Sequence, residues 1–203
     1  MLLITAVLLV MGMTGNEITF IEGVILWILF IAYLLYLYIL AKKGNDSSDE
    51  QSVKLYSVWK CLLVIVPGGL RAVIGSQFVV NGATTKARAC GMSERFIGLT
   101  IVAFGTSLPE LVTSVSAARK GNAGIAIGNI VGSNIFNILF VVGTVALICP
   151  VPFESRFVID TVVAILCGVL LWGGTIRHKE LRKPCGVVML LCYAAYFVYL
   201  AAM

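Results

Sequence analysis

Long apolar runs recur along this chain, and they constrain its fold more than any other feature. Several of them reach about 20 residues, the length that an α-helix needs to cross a bilayer core of about 30 Å. The mean hydropathy is +1.00 and only 12% of residues are charged, which excludes an ordinary soluble domain. We therefore predict an all-α, polytopic membrane protein. A short apolar segment at 1–13 precedes the predicted spans, which cover 20–41, 58–83, 97–118, 123–149, 157–175 and 184–203.

Two consecutive runs carry polar groups in their interior. The first, 97–118, contains Gly-Thr-Ser-Leu-Pro-Glu at residues 105–110. Pro109 lacks a backbone N–H, so we expect the helix to break there and to free the carbonyls near Ala103 and Phe104. Glu110 lies directly beside that break. The second run, 123–149, contains four polar residues and two glycines four positions apart, which predicts close approach of another backbone; these residues are Asn129, Ser133, Asn134, Asn137, Gly128 and Gly132.

The polar groups of these two runs form a possible set of oxygen ligands. A charged side chain in the middle of a bilayer costs about 2.5–3.5 kcal/mol on insertion scales, so Glu110 indicates a need for negative charge. Carbonyl, hydroxyl, carboxylate and amide oxygens suit hard cations such as Na⁺ and Ca²⁺. The residues alone leave an alternative open: a proline kink, a Glu110 side chain bonded to a neighbouring helix, and Gly, Ser and Asn residues that only pack helices.

The two motifs, GLTIVAFGTSLPEL and GNIVGSNIFNI, resemble the second α-repeat of the sodium/calcium exchanger family in its bacterial form. The resemblance implies an antiporter that binds Na⁺ and Ca²⁺ alternately at the bilayer midplane. It also implies a ligand set, and some relatives have Asp where Asn137 stands, which leaves the preference among Na⁺, Ca²⁺ and H⁺ open. The implied ligands are Ala103 through its carbonyl, Thr106, Ser107, Glu110, Ser133 and Asn137.

An internal repeat predicts how the chain is divided. Segments 21–37 and 184–200 align without a gap, and Tyr33 matches Tyr196. We interpret 1–41 as the tail of a first repeat, 42–54 as a cytoplasmic linker and 55–203 as a second, five-helix repeat. Because five is odd, tandem copies enter the membrane in opposite orientations, as in many secondary transporters. A missing first-repeat half or a second subunit is the expected partner, besides membrane lipid and the Ca²⁺ and Na⁺ ions.

Basic residues predict the orientation of the chain. The loops assigned to the linker face carry Lys42, Lys43, Lys54, Arg119, Lys120, Arg177, Lys179, Arg182 and Lys183, and the opposite loops carry Lys86, Arg88, Arg95 and Arg156. This bias places the first face in the cytoplasm and the C-terminus outside the inner membrane.

Arg71, near the middle of the run at 58–83, departs from the family pattern. We expect its side chain to reach the interface or the carbonyls freed by Pro67; the alternative is that it competes with a cation for Glu110.

Other classes of function find little support in the sequence. The sole histidine, His178, lies in a basic loop, so no Ser-His hydrolase is predicted and we expect no enzyme. The net charge of +5 is spread over short loops, which predicts no nucleic-acid partner. The six cysteines show no metal-site spacing, and no cofactor is expected. The function predicted is calcium/sodium antiport; a cation/proton antiporter and a non-transporting fragment or subunit remain as alternatives.

Overall fold

The computed structural model describes residues 1–44, 57–92, 97–176, 181 and 183–202. Most of the predicted linker 42–54 lies outside these residues, as do Arg95 and His178. The described chain is helical apart from one two-residue strand pair, so the all-α class is confirmed. The helices are α1 (Leu2–Gly15), α2 (Phe20–Gly44), α3 (Val58–Ala89), α4 (Ala103–Thr106), α5 (Leu108–Arg119), α6 (Ala123–Phe136), α7 (Gly143–Ile148), α8 (Ser155–Thr175) and α9 (Lys183–Ala202).

Two segments of π-helix join some of these helices. The first π segment, Gly98–Val102, leads directly into α4, and the second π segment, Asn137–Val142, connects α6 to α7. Because no bend separates its parts, Ala123–Ile148 counts as one apolar helix of 26 residues. The strands β1 (Glu17–Ile18) and β2 (Val151–Pro152) form an antiparallel pair.

The apolar helices agree with the predicted spans in most places. Four helices of the described chain are long and apolar enough to cross a membrane, and a fifth span results if the bent pair Thr100–Thr106 and Leu108–Arg119 is counted as one. The shorter apolar helices are Leu2–Gly15 and Lys183–Tyr199. Many large apolar side chains are exposed along these helices, for example Leu63 and Phe78 on α3. Such surfaces are stable in lipid but not in water.

Helix α3 corrects one expectation. The sequence Pro67-Gly68-Gly69 inside the predicted span 58–83 favours an interruption of the helix, but α3 continues through Pro67 and ends only at Ala89. A membrane helix tolerates proline because other groups satisfy the backbone carbonyl that loses its partner. The basic residues Lys86 and Arg88 consequently lie in the last helical turn rather than in a loop.

The chain divides into two compact units, one made of 1–51 and 127–189 and the other of 52–126 and 190–203. In the first unit, α2 packs against α7 and α1 against α8. The core of this unit contains Leu26, which is completely buried, and its other buried members are Ile18, Phe30, Ile135, Leu139 and Ala146. Trp27 donates its Nε1–H to Thr144 Oγ1 at 3.2 Å, which satisfies a polar group within this apolar packing.

Glycine permits the close crossing of α2 and α7. A Cβ at Gly23 would lie 3.0 Å from Ala146 Cβ and 3.1 Å from the Gly143 carbonyl oxygen, and a Cβ at Gly143 would lie 3.2 Å from Leu26 Cβ. Small residues of this kind let two backbones approach in a membrane. The sequence predicts such an approach at Gly128 and Gly132 instead, but no described atom lies within 4 Å of a Cβ built at either position.

The turn before α2 is fixed by local hydrogen bonds. Glu22 Oε2 accepts the Thr19 N–H at 2.7 Å and the Thr19 hydroxyl at 3.0 Å, an arrangement that caps the N-terminus of α2. Asn16 closes α1 in the left-handed conformation at φ 54°, and its carbonyl accepts the Phe153 N–H at 2.7 Å. The bond between Phe153 and Asn16 joins the turn between α1 and α2 to the turn before α8.

In the second unit, the C-terminal part of α3 packs on the first π segment, α4 and α5. Val80 and Ala87 are the buried apolar residues of α3 at this contact, and Ile97 is buried at the start of the broken span. At the end of α5, Gly121 at φ 78° reverses the chain, and the Asn122 N–H bonds to the Ala117 carbonyl at 2.9 Å. This turn leads into α6, the helix that carries the second motif.

Candidate cation site

The first motif folds as a broken helix in the second unit. The pair Thr100–Thr106 and Leu108–Arg119 bends by 50°, and Ser107 is the residue between the two helices. Ser107 has φ −90° and ψ 0°, close to the conformation in which α3 ends at Cys90 and α5 at Lys120. Pro109 follows within the first two positions of α5, where its missing N–H costs no hydrogen bond. The predicted break is therefore present.

The backbone carbonyls before the break already accept local hydrogen bonds. The Thr106 hydroxyl donates to the Ala103 carbonyl at 3.0 Å, and the Ser107 N–H donates to the Phe104 carbonyl at 3.1 Å. The proline break predicts that both carbonyls are free, and this prediction is wrong because each accepts a local hydrogen bond. A carbonyl oxygen has two lone pairs, so each of these oxygens keeps one for a further partner.

Glu110 lies in the first turn of α5, immediately after the break. The residue is half-buried, and its Oε2 atom is buried. The N-terminus of a helix carries partial positive charge from its unbonded N–H groups, so a carboxylate is stabilised at this position. Thr106 and Ser107, by contrast, are exposed. The break thus places one carboxylate, two hydroxyls and the Ala103 carbonyl within eight residues of the chain.

The second motif lies on the long helix Ala123–Ile148. Ser133 is half-buried and donates its hydroxyl to the Ile130 carbonyl at 3.1 Å, and Asn134 Nδ2 donates to the same carbonyl at 2.8 Å. Asn137 is exposed and lies one turn after Ser133. The Ser133 hydroxyl and the Asn134 amide donate these local bonds. The side-chain oxygens of Ser133 and Asn137 still have lone pairs with which they can bind a ligand.

The two π segments are not predicted from the sequence. The first ends at Val102, the residue before the candidate ligand Ala103, and the second begins at the candidate ligand Asn137. A π turn inside a helix shifts the direction of the following side chains and often lies at a functional site. Apolar residues such as Ile101 and Val141 carry no sequence signal for this geometry, so only the structure reveals it.

The structure groups the six candidate ligands by unit. Ala103, Thr106, Ser107 and Glu110 belong to the second unit, and Ser133 and Asn137 belong to the first. The described residues contain no group of three or more His, Cys, Asp and Glu side chains that could hold a metal ion. The candidate ligands of the two units offer hydroxyl, carbonyl and amide oxygens and a single carboxylate, which are donor types that suit hard ions.

Apolar helices of membrane length and a broken span with polar oxygens beside the break define a class: polytopic helical membrane proteins with an interrupted span. The sequence pattern of the family described as sodium/calcium exchanger protein matches residues 60–202. This match covers more than half of the chain. The chain belongs to the sodium/calcium exchanger family, a family of transporters rather than enzymes.

Individual relatives support this membership. The putative antiporter CaxA of Alkalimonas amylolytica is 32% identical over 206 residues, covering 97% of this chain and 65% of the relative. The sodium/calcium exchanger MaX1 of Methanosarcina acetivorans is 37% identical over 142 residues, covering 70% of this chain and 41% of the relative. An uncharacterized membrane protein of Methanocaldococcus jannaschii is 33% identical over 185 residues, covering 91% of this chain and 58% of the relative.

A solved structure of the sodium-calcium exchanger NCX_Mj, soaked with zero Na⁺ and Ca²⁺, is similar to this fold. Its TM-score is 0.75 at 30% sequence identity, and the match covers 97% of this chain and 62% of NCX_Mj. The chain therefore spans less than two thirds of the length of each of these proteins. The resemblance seen in the motifs is confirmed, and the chain is a multi-pass membrane protein.

Proposed function

We propose that this chain forms the second repeat of a calcium/sodium antiporter in the inner membrane. The observation that carries the proposal is the broken span, in which Glu110 follows the break and has a buried carboxylate oxygen. A carboxylate inside a membrane span is energetically costly, and such residues usually face the protein interior and mark an ion pathway. Membership of the exchanger family supplies the reaction class, which is exchange of cations across a membrane.

In this proposal the ligands are the six oxygen-bearing residues predicted from the motifs: Ala103 through its carbonyl, Thr106, Ser107, Glu110, Ser133 and Asn137. Ca²⁺ takes six to eight oxygen ligands. Six single contacts reach the lower limit only if all of them converge on one ion, and they supply one negative charge. We infer that a first repeat, on the same polypeptide or on a second subunit, supplies further ligands and a second carboxylate.

The mechanism is alternating access without ATP or a cofactor. Na⁺ and Ca²⁺ bind in turn to the same oxygens near the bilayer midplane, and each is substrate rather than a resident group. The supporting feature is the interrupted backbone, since discontinuous helices in transporters coordinate ions through helix ends and unwound carbonyls. The long helix α3, which packs on the broken span, moves past the site to change the side of access.

The orientation follows from the positive-inside rule. Four of the nine basic residues on the linker face, Lys54, Arg177, Lys179 and Arg182, lie outside the described residues, so this part rests on the sequence. The linker is cytoplasmic, and the C-terminus lies outside the inner membrane. Membrane lipid covers the exposed apolar helices.

A second candidate, cation/proton antiport, is favoured by one observation. Glu110 is the sole acidic residue between 97 and 149. Asn137, where some relatives have Asp, is neutral. One carboxylate can release a proton when it binds a metal ion and take it up again when the ion leaves. A non-transporting fragment or subunit is the outcome if no first repeat assembles with the chain.

A gradient experiment separates these candidates. Membrane vesicles contain the complete exchanger, meaning this chain together with a first repeat, and ⁴⁵Ca²⁺ uptake is measured with either a Na⁺ gradient or a pH gradient. We expect uptake with the Na⁺ gradient at equal pH. Uptake driven only by the pH gradient would replace the proposal with calcium/proton antiport, and no uptake under either gradient would leave the chain as a non-transporting subunit.

A further inference from the structure

The packing of α3 on the broken span centres on a notch at Gly105. Gly105 is buried, and a Cβ built there would overlap Val80 Cγ2 and lie 3.4 Å from Val80 Cβ. Val80 is itself only 9% exposed. Gly98, the other glycine of the broken span, has no described atom within 4 Å of such a Cβ. The absent side chain of Gly105 therefore provides the space that Val80 fills.

One turn further along α3, Thr84 has an unsatisfied hydroxyl. Its Oγ1 is buried and has no hydrogen-bond partner among the described residues. The adjacent Thr85 donates its hydroxyl to the Asn81 carbonyl at 2.8 Å, the usual bond of a helical threonine to the carbonyl four residues back. Leaving a buried hydroxyl unpaired is unfavourable. The Thr84 hydroxyl therefore lacks a hydrogen bond of the kind that the Thr85 hydroxyl makes.

The contacting face of α3 repeats itself after four residues. Val80 and Thr84 are both β-branched and nearly equal in volume, and Ala83 and Ala87 are identical. Displacing α3 by one turn toward its N-terminus, about 5.4 Å, would bring Thr84 to the notch and Ala87 to the place of Ala83. β-branched side chains have stiff χ1 angles, so each residue would occupy the notch in one defined position.

We propose that α3 has two registers on the broken span, one turn apart, with Val80 in the Gly105 notch in the first and Thr84 in the second. Helices that ratchet by one turn past another element are a known form of two-state transition. In the second register the Thr84 hydroxyl meets the interrupted backbone around Gly105, which offers it an acceptor. The inference rests on the proposed function, since it makes Gly105, Val80 and Thr84 the positioning residues of the α3 movement.

Disulfide trapping tests the two registers. The full chain, with its six native cysteines replaced, receives Gly105→Cys together with Val80→Cys, Thr84→Cys or Ser76→Cys and is oxidised mildly in membranes. Disulfides require Cβ atoms about 3.5–4.5 Å apart. We expect the Val80 and Thr84 pairs to cross-link and the Ser76 pair, displaced one turn in the other direction, to remain reduced.

Three results would overturn the proposal: cross-linking of the Val80 pair alone, cross-linking of none of the pairs, or a Ser76 pair that forms as readily as the Thr84 pair. In the complete exchanger, replacing Na⁺ by Ca²⁺ should change the ratio of the Val80 and Thr84 cross-links. If both pairs form at a ratio that does not depend on the ions, the two registers stand and the role of the α3 movement in ion exchange is contradicted.

A second variant leaves Gly105 intact, in case Gly105→Cys prevents folding. Thr84→Leu is too large for the notch, so we expect loss of Na⁺-driven ⁴⁵Ca²⁺ uptake by the complete exchanger with its melting temperature retained. The matched control is Thr85→Leu, at an exposed position of the same turn, which should transport normally. Wild-type uptake by Thr84→Leu would show that Thr84 never enters the notch.

Discussion

Glu110 and Asn137 differ in what each can contribute to a cation site. Glu110 has a carboxylate in the first turn of α5, and Asn137 offers only a neutral amide at the start of the second π segment. The charge of the motif residues therefore comes from one side chain. Because carboxylates bind Ca²⁺ more strongly than amides do, a neutral residue at 137 would limit the affinity of the proposed site for divalent ions.

Asn137→Asp tests this limit. The added charge should strengthen Ca²⁺ binding relative to Na⁺, and it gives the proposed site a second group that protons can neutralise, so transport should become more sensitive to acid. The measurement is the Ca²⁺ concentration for half-maximal uptake by the complete exchanger at several pH values. An unchanged concentration at every pH would mean that Asn137 does not face the ions.

The candidate ligands themselves were predictable from the sequence, because Pro109 and Glu110 are unusual residues in an apolar run. The local bonding was not, since the Ala103 and Phe104 carbonyls take bonds from Thr106 and Ser107 that depend on how the chain turns at the break. Arg71, exposed on α3 in this structure, also shows the limit of sequence reasoning. A single charged residue in an apolar run has several possible partners, and composition does not choose among them.

At the scale of elements, the helices were largely predictable, because apolar runs of membrane length leave the backbone few alternatives. The errors have physical causes. Pro67 lies within an intact α3, since lipid-embedded helices tolerate proline. The close glycine crossing is at Gly23 and Gly143 rather than at Gly128 and Gly132, because sequence spacing shows that a backbone approach is possible but not which helix approaches.

The crossing of α2 and α7 yields a stability prediction. Gly143→Val would force a side chain against Leu26 and Trp27, and overpacking of this kind costs about 1–3 kcal/mol. Thermal unfolding in detergent should show a lowered melting temperature. Gly128→Val, on the same continuous helix but with no described atom near its Cβ, is the control. Equal melting temperatures for both variants would contradict the proposed packing of the first unit.

At the scale of the whole molecule, the chain belongs to the exchanger family and matches 62% of the length of NCX_Mj. The division at 1–41, 42–54 and 55–203 into a repeat tail, a linker and a second repeat remains a prediction from the internal alignment and the odd number of helices. It implies that these residues supply only part of a cation cage. Liposomes containing the chain alone should accordingly show no Na⁺-dependent Ca²⁺ flux.

The most direct test of the proposed antiport site is the effect of Glu110→Gln on Na⁺-gradient-driven ⁴⁵Ca²⁺ uptake in vesicles containing the complete exchanger. Removing the only carboxylate of the two motifs should abolish uptake while the amount of inserted protein stays the same. Glu17→Gln, which removes an exposed carboxylate from strand β1, should transport like the unmodified protein. Normal uptake by Glu110→Gln would contradict the assignment of this residue and of the broken span to the ion pathway.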